Sequence, residues 1–510
     1  MPTLVITGAN VWTTDADGSV RFEPRTLFAR NGRIAELIPS SASLPDARDD
    51  LQIVEAKGKF VAPAFVDAHF HLIALANKTL RVDLASAAGA EDVIARLSRG
   101  GVAGGIVGVD FDESEWEDPR LPTRAGLNAV SATAPVYARR VCCHVGVAND
   151  ALLRLLEGRV AARFIDRASG RITEEAVFEA NRLTRPADEA VIAAMDGAIA
   201  HLHSLGITAI HDIVDPDTIE VYGRGLQASH RRLRIHAYLH LPAHDFPAAR
   251  ARFDDAGVDG VHAAGIKIFS DGSMGAHTAA LHDAYADADT RGELLVDERD
   301  LAAEIVACAE EGMACAIHAI GDRAMSTVLD AIEAAPSGAR VRIEHAEVIA
   351  ERDIDRIVRL GVPLVMQPNF VRNWGGEGGL YERRLGRSRW ERNNPFATLL
   401  RAGARIVFSS DGMPAGPLFG IKGATHHAVT YERIGTVDAL TRYKIAERAL
   451  WGERTPGGLA VGDPADLMIL SNNPIFADPD GLRVEATFAG GQEVFRASSP
   501  GPRRYSKSGP

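Results

Sequence analysis

From residue 59 to residue 449 the chain alternates short apolar segments with amphipathic ones, and no other property of the sequence restricts its fold as strongly. Strand-like runs cover 59–66, 104–109, 136–142, 209–212, 233–240, 265–269, 314–318, 341–344, 363–367 and 404–409. Helical periodicity covers 173–204, 298–311, 323–334, 352–360 and 437–449. Repetition of strand then helix on this scale predicts an α/β fold built on a closed (β/α)8 TIM-like barrel. The competing arrangement, an open doubly wound sheet, needs a glycine-rich dinucleotide loop after a strand, and none follows here.

Both ends of the chain have a different texture. Residues 3–6, 26–29, 33–37 and 51–55 read as short strands punctuated by Asn31-Gly32 and Lys57-Gly58, and 465–470, 484–488 and 493–495 repeat the pattern around Gly490-Gly491. Neither block can bury a core alone. The expected organisation is therefore one small β-sandwich domain built from both termini, 1–60 and 451–510, flanking a barrel at 61–450. Residues 110–185 exceed what one crossover needs and are expected to form a lid or side lobe.

Composition narrows the class of partner. The 68 acidic and 56 basic side chains give a net charge of -12, and arginines such as Arg231, Arg232 and Arg234 are not gathered into a basic block, which argues against nucleic acid. Four cysteines are too few for a disulfide framework, and the adjacent Cys142 and Cys143 with His144 lack zinc-knuckle spacing. No signal peptide or bilayer-length apolar run is read, so the expected setting is cytoplasmic, with a small-molecule substrate, no membrane, and a homodimer as a common outcome for such enzymes.

The chemistry sits at the ends of the strands. Val61 to His71 is a buried-type strand ending in His69 and His71, one residue apart, a spacing that points both imidazoles to one side of a strand. His318 closes 314–318, His345 follows 341–344, Asp411 follows 404–409, and Lys267 lies within 265–269. Barrels present catalytic groups at the C-terminal ends of their strands. Singly, each of these is a common structural residue; together, that many polar groups at one end of a sheet are costly to bury unless a metal holds them. Lys267 is ambiguous. As an ammonium it would pair with an acid such as Asp271, and as a carboxylated lysine it would be an anion able to bridge two metals.

These blocks resemble the amidohydrolase superfamily, and specifically the amidohydrolase family 3 branch that includes N-substituted formamide deformylases. The similarity runs through 63–71, 205–212, 265–273, 318–324, 342–346, 410–414 and 458–467. The resemblance implies that His69, His71 and Asp411 serve one divalent metal and that His318 and His345 serve a second. Carboxylated Lys267 would bridge them, with two zinc ions per chain as the expected complement. It also implies hydrolysis of a C–N bond of an amide, N-formyl or related small substrate by metal-bound hydroxide. In that scheme Asp411 acts as base then acid, and His345, His318 and Lys267 complete the catalytic set. The alternatives are a mononuclear metal-dependent deaminase, a cyclic-amide or ester hydrolase on the same scaffold, and an inactive barrel kept as a binding subunit.

Substrate contacts are expected from His144, Asp322, Trp116 and His277. His277 stands where relatives commonly carry arginine, and Gly412-Met413 replace the commoner small residue and valine after the metal-binding aspartate. For Asp322 a helix-capping role competes with one at the pocket floor. Glu344, next to His345 on a strand, is expected to face the other way and to serve packing or a salt bridge.

Overall fold

Ile207–Val214 and Ala314–Ala319 are buried at every position, as are all residues of Phe65–Phe70, which is what strands covered on both faces require. A computed structural model describes residues 3–15, 19–42, 51–100, 105–444, 450 and 459–498. Its central sheet has eight parallel strands in sequential order: Phe65–Phe70, Ile207–Val214, Arg234–Leu239, Val261–Phe269, Ala314–Ala319, Arg340–His345, Leu364–Met366 and Ile406–Phe408. The last strand returns to the first through the segment that follows it. Asp411 N–H donates to His69 O at 3.0 Å, and Ser410 N–H donates to the buried Asp67 carboxylate at 2.9 Å. The sheet is thus a nearly closed barrel with helices outside it, as the alternating sequence predicts.

A second eight-stranded sheet joins the two ends of the chain, in the order Gln492–Arg496, Val484–Ala489, Leu467–Leu470, Phe60–Pro63, Thr3–Thr14, Val20–Arg30 and Arg33–Pro39. Leu51–Glu55 pairs in parallel with the start of Thr3–Thr14, and Phe60–Pro63 pairs with its later part. A third sheet of six strands runs from Val82–Asp83 through Ile106–Phe111, Val136–Arg140, Val145–Ala148 and Arg171–Thr173 to Ile165–Asp166. Two strand segments read from the sequence, 104–109 and 136–142, therefore belong to this side sheet and not to the barrel. Periodicity identifies a strand but not the sheet it joins.

The expected helix at 173–204 is two helices, Glu175–Leu183 and Asp188–Ser204, and Pro186 lies in the break because it has no N–H for a helical bond. The end of the expected helix 437–449, beyond Lys444, and the tail after 498 lie outside the described residues. Among the described residues no helix is long and apolar enough to cross a membrane.

Close strand contact is enforced at Gly265, which pairs with Ala314 on the neighbouring barrel strand. A Cβ there would lie 1.9 Å from Ala314 O and 2.6 Å from its carbonyl carbon, neither of which can step aside without moving the strand. Gly265→Ala is expected to cost about 3 kcal/mol, at the upper end of overpacking penalties, read as a lowered midpoint in chemical denaturation.

Candidate metal centre

Ligand atoms of His69, His345 and Asp411 converge to within 4.8 Å of one another at the C-terminal end of the barrel. The strand carrying His69 stops at Phe70, and His71 is the residue preceding the helix Leu72–Lys78. Both rings still meet one oxygen: Asp411 Oδ1 lies 3.7 Å from His69 Nε2 and 3.2 Å from His71 Nε2. His71 stands at the mouth with its side chain 35% exposed, whereas His69 is buried. His318 lies 4.4 Å from His345 between ring centroids, and His345 lies 4.9 Å from His69.

Two of these positions depend on unusual backbone. His345 has φ 73° and Asp411 has φ 54°, both in the left-handed region that non-glycine residues rarely enter and that functional sites often hold. The bond from Ala346 N–H to Ala319 O, 3.0 Å, and that from Asp411 to His69 hold them there. The turn at His345 breaks the strand's alternation. Glu344 does not face away from the site: it shares the inward face of the strand with Arg342, its Oε2 bonding His69 Nδ1 at 2.6 Å while Oε1 accepts from Arg342 Nε at 2.5 Å. The salt bridge expected of Glu344 is present, and it joins a metal-site histidine as well.

The hydrogen bonds around the imidazoles select which nitrogen each presents. His69 Nδ1 is held by Glu344 and His345 Nδ1 by Gln367 Oε1 at 2.9 Å, so each offers Nε2. His318 is reversed. Its Nε2 bonds Gly272 O at 2.9 Å, and its Nδ1 is buried with no partner. Lys267 Nζ is likewise buried and unpartnered, 4.8 Å from the centroid of the Phe269 ring. Asp271, the acid that an ammonium at 267 would need, instead accepts from the N–H groups of Ala280, Ile320 and Gly321 at 2.9, 3.0 and 2.9 Å. An imidazole lone pair without a donor and a buried amine without an acceptor, beside the converging His69, His345 and Asp411, make a donor set that divalent metal fits.

The electrostatics agree. Burial, followed by the nearby Lys267 charge for His69 and by neighbouring histidines for His318 and His345, pushes these three imidazoles well below their ordinary range, leaving them neutral. Burial drives Asp411 upward, but His69 and His71 outweigh it and keep the carboxyl below its usual value. Burial lowers Lys267 to about 8, which raises the share of free amine near neutral pH.

The remaining expected residues are spread around this centre. His144 stands 5.9 Å from His318 between ring centroids, and its Nδ1 bonds Glu174 Oε2 at 2.7 Å. Burial opposes its charge, yet Glu174 prevails and raises it to about 9. Asp322 begins the helix Asp322–Ala334 and accepts from His282 N–H at 2.9 Å, anchoring the loop after the fourth barrel strand. Trp116 stacks on Phe111 at 5.7 Å and packs in the hydrophobic cluster of the side sheet. His277 bonds Asp287 at 3.0 Å and lines a cavity away from the histidine cluster. Sequence reading missed Gln367 and Glu174. Gln367 ends a predicted strand and so carried a positional signal, whereas Glu174 lies in a helical pattern and reaches His144 only through the fold.

A family model described as the amidohydrolase family matches residues 52–495. The amidohydrolase YtcJ of Bacillus subtilis is 27% identical over an alignment covering 87% of this chain and 90% of its own. The N-substituted formamide deformylase of Arthrobacter pascens is 26% identical and covers 100% and 99%. The crystal structure of an uncharacterized metal-dependent hydrolase from Pyrococcus furiosus superposes with a TM-score of 0.74 at 27% identity, covering 93% of this chain and 100% of that one.

Proposed function

This chain belongs to the amidohydrolase family and is a metal-dependent hydrolase, and from that premise we propose that it cleaves the C–N bond of an amide, N-formyl or related small substrate. The observation that carries the reading is the convergence of His69, His345 and Asp411, with the Nδ1 of both rings already engaged by Glu344 and Gln367. The likeness to an N-substituted formamide deformylase over the full length of both chains supports the C–N bond as the target. His69, His71, His318, His345 and Asp411 would hold divalent metal, with zinc suited to so imidazole-rich a set. Metal there supplies Lewis acidity and lowers the pKa of water.

The chain's own residues supply the rest. Asp411, kept ionised by its histidine neighbours, takes the proton of the attacking water and returns it to the leaving nitrogen. His144, protonated near neutral pH and fixed through Nδ1 by Glu174, donates from Nε2 to a substrate oxygen. Lys267 as free amine adds carbon dioxide and releases a proton to become a carbamate, which gives an anion to a centre otherwise dominated by neutral imidazoles. The free thiols Cys142, Cys143, Cys308 and Cys315 support a cytoplasmic setting.

One observation favours a second reading. Among the described residues, His69, His345 and Asp411 alone fall inside the tightest cluster, which a mononuclear deaminase could use with Lys267 unmodified. Elemental analysis of metal-replete protein separates the two. About two metals per chain are expected, and one per chain would select the mononuclear alternative. A screen of N-formyl, N-acyl, cyclic-amide and ester substrates then tests the bond cleaved; turnover confined to esters would overturn the C–N assignment.

A further inference from the structure

A cavity of about 620 Å³ lies between the side sheet, the loop after the fourth barrel strand and the helix Leu380–Leu385, and its lining includes Arg163, Arg171, Arg384, His277, Thr173 and Thr278. None of the metal-site residues lines it. Its cations differ in what already occupies them. Arg140, also on the wall, pairs with Asp112 at 2.7 Å and Glu113 at 2.8 Å, while its Nη1 is buried without a hydrogen-bond partner. Arg384 is paired with Asp287, which also accepts from His277. The Arg171 guanidinium donates to Ala276 O at 3.2 Å and, among the described residues, has no carboxylate in ion-pair contact. Arg163 lies 3.9 Å from Glu293, too far for a hydrogen bond, and its guanidinium sits 4.4 Å from the centroid of the Phe164 ring.

The guanidiniums of Arg171 and Arg163, neither with a carboxylate within hydrogen-bond distance among the described residues, therefore line one partly open cavity. Planar forks of this kind match carboxylates two bonds at a time. Burial first, then the charges on Arg384 and further Arg171, outweigh the opposing Asp287 contact and push His277 below its ordinary range, which favours a neutral ring on the wall. A single inorganic anion would leave most of the volume to water. We propose that this cavity is a binding site for a small organic anion carrying two or more carboxylates, held by Arg171 and Arg163 and separate from the metal centre. Thr278 gives the site a physical link to that centre, since its hydroxyl donates to Glu174 Oε1 at 2.5 Å and Glu174 holds His144.

The test is calorimetric titration of the metal-loaded protein with propane-1,2,3-tricarboxylate and glutarate, beside inorganic phosphate. Saturable binding of the carboxylates, weakened by added salt, is expected, with phosphate weaker. Affinity should fall about tenfold or more in Arg171→Ala and in Arg163→Glu, while metal content stays that of the wild type. Arg163 is 63% exposed, so its variant is not expected to disturb folding. Unchanged affinity in both variants would place the anion elsewhere, the metals included, and overturn the proposal; so would absence of saturable carboxylate binding, or phosphate binding as tightly as the tricarboxylate. None of these results bears on whether the metal centre hydrolyses C–N bonds, which the metal count and the substrate screen decide.

Discussion

Asp411→Asn is expected to keep the fold and lose about 10²- to 10⁴-fold in kcat, the range that a positioned proton-transfer group contributes. Asparagine tolerates the left-handed backbone that Asp411 adopts at φ 54°, and the N–H that closes the barrel onto His69 O belongs to the main chain. The amide has nearly the shape of the carboxylate but cannot carry the proton from water to leaving nitrogen. Circular dichroism, metal content and kcat measured on one preparation make the test complete. Turnover near that of the wild type, in a folded and metallated variant, would remove Asp411 from the proton path.

The second large effect is expected at a residue two steps from the substrate. Glu344→Gln should weaken metal binding about 10- to 100-fold, the usual consequence of altering the partner that orients a histidine ligand. It should also cost about 3–5 kcal/mol in stability, because Arg342 is fully buried and would lose its only carboxylate contact among the described residues. The Arg342 guanidinium keeps its other contacts, Ala68 O at 2.8 Å and His211 Nδ1 at 2.8 Å, but these are neutral acceptors. The two losses can be separated. In Arg342→Met with Glu344→Leu no unpaired charge remains, so stability should largely return while metal affinity stays low. Recovery of both together, read by denaturation and by metal titration, would show that Glu344 acts on folding alone.

The difference between these two positions also describes what a sequence can convey. Asp411, His318, His345, Lys267 and the His69–His71 pair stand at or near the ends of apolar runs, and that placement is a local pattern visible without coordinates. The atoms that decide which nitrogen faces the centre are not local. Glu344 reaches His69 across 275 residues of chain, and His345 adopts a left-handed backbone that no residue type at 345 announces. Gln367 and Glu174 reach His345 and His144 by the same kind of tertiary convergence. The barrel itself was legible because strand and helix alternate with distinct periods. The side sheet was not separable from it, since Ile106–Phe111 and Val136–Arg140 have the composition of barrel strands and differ only in their partners.

The sheet that joins the chain ends carries a consequence for how the protein comes into being. Phe60–Pro63 takes Leu467–Leu470 as its antiparallel neighbour, so an edge made early waits for a strand made late. At ribosomal rates of about 5–20 residues per second, roughly 20–80 s separate their synthesis. During that interval the N-terminal strands present an open row of backbone donors and acceptors, the kind of edge on which foreign strands add. Sheet completion thus waits until the whole barrel has been synthesised, and chains cut short before residue 467 would keep that edge exposed for as long as they last.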